Sequence, residues 1–100
     1  MERAEVIQLA FEIISYAGDA MDCFYNAVLD YKSGNLEEAK KRLEEGNKAL
    51  NKTHLIQTKL IQDEVNDQVI PSTLIMTHAQ DHLTSAINWQ RIVTLLLTDN

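Results

Sequence analysis

Apolar residues recur every three or four positions along most of this chain, in three runs broken at two places. In the first run, Arg3 to Lys32, residues Val6, Ala10, Ile13, Ala17 and Phe24 share one helical stripe, which Leu9, Ile14, Met21 and Val28 widen. Gly18 interrupts this helix at a cost of about 1 kcal/mol relative to Ala, so another backbone is expected to pack closely there. Ser33-Gly34-Asn35 reads as a stop and restart. Gly34 suits the left-handed conformation after a helix end, and Asn35 with Glu38 fits a capping box for the next helix. In the second run, Leu36 to Val65, residues Leu36, Ala39, Leu43, Gly46, Leu50, Thr53 and Leu60 approach a heptad seam that Gln57 interrupts. Glu37–Lys41, Glu38–Arg42 and Glu44–Lys48 are favourable pairs on its outer face. After "NDQVIPS", with Pro71 in the first turn or Ser72 as cap, a third run continues to Leu97.

Long helices with short connections pack antiparallel, so the expected fold is all-α, an antiparallel three-helix bundle forming one domain over residues 1–100. The third run carries apolar residues on more than one side: Leu74, Ile75, Met76, Leu83, Ile87, Trp89, Ile92, Val93 and Leu95 to Leu97. Three helices alone do not cover them all. The surplus implies an oligomer with the third helix innermost.

Composition narrows the possible partners. A net charge of −6 argues against a nucleic-acid surface and against docking on anionic membrane. No apolar run approaches the ~20 residues of a membrane span. Glu2 and Glu5 are wrong for a signal peptide and the lone Cys23 cannot form an internal disulfide, so the reading is cytoplasmic.

The candidate chemistry lies in "THAQDH", Thr77 to His82. His78, Asp81 and His82 share an arc of ~100° on a helix. One reading is a buried polar cluster in which His82 and Asp81 satisfy one another or a neighbour. A zinc protease is excluded, because Ala79 stands where H-E-x-x-H needs its carboxylate base. A structural zinc site lacks ligands, with only Cys23 and His54 in reserve. The remaining reading is covalent catalysis by histidine, whose neutral nitrogen attacks phosphoryl groups and passes them on without a Gly-rich loop.

"PSTLIMTHAQDHLTSA" (Pro71 to Ala86) and "FEIISYAGDA" (Phe11 to Ala20) resemble the signatures of the lactose/cellobiose-type IIA component of the bacterial sugar phosphotransferase system. The resemblance spans essentially the whole chain. It implies a homotrimer of three-helix subunits, a nine-helix bundle. It further implies that His78 accepts a phosphoryl group from HPr and hands it to a cysteine of the cognate IIB. His82 and Gln80 would surround the active histidine. Asp81 would lie near the three-fold axis, where three copies bind a divalent cation, Mg²⁺. The sugar would be a β-linked disaccharide such as cellobiose, diacetylchitobiose or lactose, chosen by the IIC component. Tyr16 and Asp19 depart from the residues common at those places in relatives, His and Asn. The competing expectation is a non-catalytic helical oligomerisation module whose His/Asp cluster fixes the register.

Overall fold

The computed structural model describes residues 1–98. Those residues form α1 (Arg3–Lys32), α2 (Leu36–Val65) and α3 (Leu74–Leu97), with no strand among them. Helices of 30 residues run roughly 45 Å at 1.5 Å per residue. The molecule is 49 Å long and 21 × 16 Å across, so the helices fold back on one another as an up-down-up rod. α1 and α3 therefore begin at the same end.

α1 is the central wall. It packs extensively on both other helices, whereas α2 and α3 meet over a smaller area. Its buried positions are the stripe read above, Val6, Ala10, Ile13, Ala17 and Phe24, joined by Ala20 and Ala27. α2 contributes Ala39, Gly46, Leu50, Thr53 and Leu60, and α3 contributes Ala79, Leu83, Ala86, Val93 and Leu97. Small residues dominate the core, so the helices approach closely and little depth is left between them. Where α2 and α3 do meet, two amide pairs bridge them. Gln80 donates to Gln57 at 2.9 Å and Gln90 donates to Asn47 at 2.8 Å.

Several local expectations are corrected. The close approach is at Gly46, where a Cβ would strike the fully buried Phe24 ring; Gly18 has nothing within 4 Å of its virtual Cβ. Leu36 opens the second helix but is 43% exposed, outside the seam. Asn35 makes no side-chain cap, and Glu38 lies 3.7 Å from Lys41 instead of completing a capping box. Arg42 reaches across to Asp30 on α1 at 3.3 Å, so the hairpin is pinned between helices and not along α2. Gly34 does take positive φ, +81°. α3 starts later than Pro71 or Ser72: the cap is Thr73, whose hydroxyl accepts from the Met76 amide at 3.1 Å.

Candidate active site

α3 places the expected residues on distinct faces. His78 is exposed, one turn in from the Thr73 cap, while His82 one turn further is half-buried. The two rings meet edge to face, centroids 4.5 Å apart, with Nε2 to Nε2 at 3.0 Å. His82 Nδ1 is buried and has no hydrogen-bond partner. Asp81 is exposed and makes no hydrogen bond or ion pair among the described residues. The Asp81–His82 pairing of the buried-cluster reading is thus absent, and His82 is matched to His78.

Gln80 is separated from the histidines. Lying two residues from each, it points toward α2, where it bonds to Gln57 and its amide nitrogen lies 3.4 Å from the Met76 sulfur. It does not line the concavity beside His78, so a single chain does not bring it to the imidazole pair. Gln57 was legible as a polar interruption of an apolar seam; its partner was not.

An open concavity of about 520 Å³ lies against His78, lined also by Arg3, Thr73, Leu74 and Ile75. Arg3 comes from the first turn of α1, 75 positions away in sequence, and no local pattern links it to the histidine. Tyr16 is half-buried with Lys52 of α2 over its ring, 5.1 Å from the centroid. Asp19 and His54 are exposed. Cys23 is half-buried, and burial pushes its thiol pKa up, with Glu45 adding to the effect. A thiol held in its neutral form is a poor nucleophile. Among the described residues no three His, Cys, Asp or Glu side chains are grouped to hold a metal within one chain.

The family model of the lactose/cellobiose-specific IIA subunit of the phosphotransferase system matches residues 8–98. The chain belongs to that IIA family. A lichenan-specific IIA component from Bacillus subtilis is 41% identical over 83 residues, covering 83% of this chain and 76% of the relative. The crystal structure of PtcA from S. mutans superposes with a TM-score of 0.94 at 33% identity, covering 97% of this chain and 95% of that one. The chitobiose IIA of Escherichia coli, solved in complex with HPr, superposes with a TM-score of 0.76 at 29% identity, covering 97% of this chain and 92% of that one. As a IIA component the chain is a carrier in sugar transport by the phosphotransferase system. No described helix is long and apolar enough to cross a membrane.

Proposed function

We propose that this IIA component carries phosphorus on His78, accepting it from the phosphohistidine of HPr and passing it to a cysteine of a cognate IIB during uptake of a β-linked disaccharide. The observation that carries the reading is the exposed His78 ring, bonded Nε2 to Nε2 with His82 beside an open concavity. A hydrogen bond between two ring nitrogens needs one protonated and one bare. At the buried His82 Nδ1, a bare acceptor is tolerated more easily than an orphaned N–H. This assigns the proton of the bond to His82 Nε2 and leaves His78 Nε2 as the acceptor, a tautomer inferred from the hydrogen-bond network. His78 Nε2 is also the ring nitrogen farther from the backbone, with more room for a tetrahedral group.

In the transfer the His78 Nε2 lone pair forms a new P–N bond while the P–N bond of the donor imidazole breaks, its electron pair returning to the donor ring. His78 keeps its Nδ1 proton. The His82 Nε2–H moves its hydrogen bond from His78 to a phosphoryl oxygen, keeping that oxygen's charge matched. In the onward step a thiolate sulfur forms a P–S bond and the Nε2 pair returns to His78.

The assembly reading rests on the outward stripe of α3. Leu74, Asp81, Asn88 and Leu95 are spaced seven apart and all exposed, Leu74 at 86% and Leu95 at 73%, with Ile92 beside them at 51%. Packing three copies about an axis alongside the exposed face of α3 would cover this stripe as a homotrimer. One chain offers a single axial carboxylate, whereas three copies would offer three, a hard-oxygen donor set that suits Mg²⁺. Asp81 is the residue that would hold it. The cation would offset the mutual repulsion of the carboxylates and plays no part in the transfer steps above.

Labelling tests the reading directly. With phosphoenolpyruvate, enzyme I and HPr, one acid-labile, base-stable phosphoryl group per chain is expected, and none on His78→Ala. An equally labelled His78→Ala protein refutes the assignment. A folded wild-type chain that takes no label leaves the non-catalytic module.

A further inference from the structure

The concavity beside His78 holds a second chemistry-bearing side chain, Arg3. We infer that Arg3 is a phosphoryl-anchoring residue, its guanidinium gripping the oxygens of the group as it arrives on and leaves His78. The inference rests on the carrier reading and deepens it.

A chain of net charge −6 repels a dianionic phosphoryl group, so local positive charge is needed where the group sits. The concavity supplies it. No carboxylate is among its lining residues, which are Arg3, Thr73, Leu74, Ile75 and His78. Arg3 is exposed and makes no ion pair or side-chain hydrogen bond among the described residues, so its planar fork of donors is not already committed. Its nearest acidic neighbours in sequence, Glu2 and Glu5, and Asp81 one turn beyond His78 lie outside the lining. A guanidinium takes two phosphoryl oxygens through parallel N–H donors, which a lysine ammonium does not match in geometry. Both α1 and α3 start at this end of the rod, so their dipoles add to the same field without defining the site. His82 and Arg3 then divide the task. His82 supplies one N–H from the α3 side, and Arg3 supplies charge and two donors from α1. No proton moves to or from Arg3, and the bonds made and broken remain those described above.

Two phosphoryl donors separate anchoring from docking. HPr presents a protein surface, whereas inorganic phosphoramidate presents only its phosphoryl group. Arg3→Gln is expected to slow labelling of His78 roughly 10- to 100-fold with both donors, the worth of charge-assisted hydrogen bonds. Arg3→Lys should recover part of the rate with both. The final stoichiometry and the thermal melt of both variants should match wild type, because Arg3 is exposed. Slowing with HPr alone would make Arg3 a docking contact and overturn the inference, as would wild-type rates with both donors. Absence of label on the wild-type chain would bring down the carrier reading itself, a different failure from a labelled wild type that Arg3→Gln does not alter.

Discussion

At the residue scale, the proposed transfer turns on which nitrogen carries which proton. In the proposed transfer His82 donates to His78 beforehand and to a phosphoryl oxygen afterwards, so that role needs an N–H and not merely a ring. His82→Phe keeps an aromatic ring in place but removes the donor. Single-turnover labelling of this variant should be slower by about 10-fold or more, with one group per chain still bound at the end. An unchanged rate would leave His82 a packing residue. The residue types of the site were legible in "THAQDH", since two imidazoles four apart on a helix must adjoin. Which carboxylate or imidazole paired with which was not. Helical spacing places side chains on an arc without fixing rotamers, and it does not reveal that His82 Nδ1 is buried without a partner. Arg3 was illegible for a simpler reason: only the return of the chain through α2 brings the start of α1 beside the start of α3.

At the element scale, each helix was visible in the apolar period, to within a residue at most of its ends. The polar trimmings were not. Charged side chains on α2 have several partners of nearly equal worth, a few tenths of a kcal/mol each. Tertiary reach therefore decides, as with Arg42 and Asp30. Gly18 was misread for a similar cause. A pattern shows that a residue is small but not what faces it. Gly46 faces Phe24, and Gly18 faces open space. The same substitution should accordingly have opposite signs at the two sites. Gly18→Ala is expected to stabilise by up to about 1 kcal/mol through helix propensity. Gly46→Ala gains that propensity but overpacks a buried ring, typically at 1–3 kcal/mol, so a net loss of about 1 kcal/mol is expected. Urea unfolding at one fixed protein concentration reads both, and equal shifts of one sign would contradict the packing described.

At the scale of the whole molecule, the long rod leaves a surplus of apolar surface on α3, as the sequence already implied. Leu74, Trp89, Ile92, Leu95 and Leu96 are all exposed in the single chain. If the proposed trimer is held by this face with Mg²⁺ on Asp81, a chelator should shift sedimentation toward smaller species. Asp81→Asn should remove that sensitivity, because neutral amides neither repel nor require a cation. A chelator effect that survives Asp81→Asn would place the metal elsewhere.

The outward stripe has one more consequence, for how copies slide past each other. It is greasy at its two ends, Leu74 and Leu95, and wet in the middle, at Asp81 and Asn88. In a parallel assembly, a slip of two turns would set each carboxylate level with a neighbour's Leu74 and each Leu95 level with an Asn88. Stripping water from a charge to face it with hydrocarbon costs several kcal/mol. Staggered stacks are thereby discouraged, and copies of this rod should lock flush, end to end, like the wards of a key.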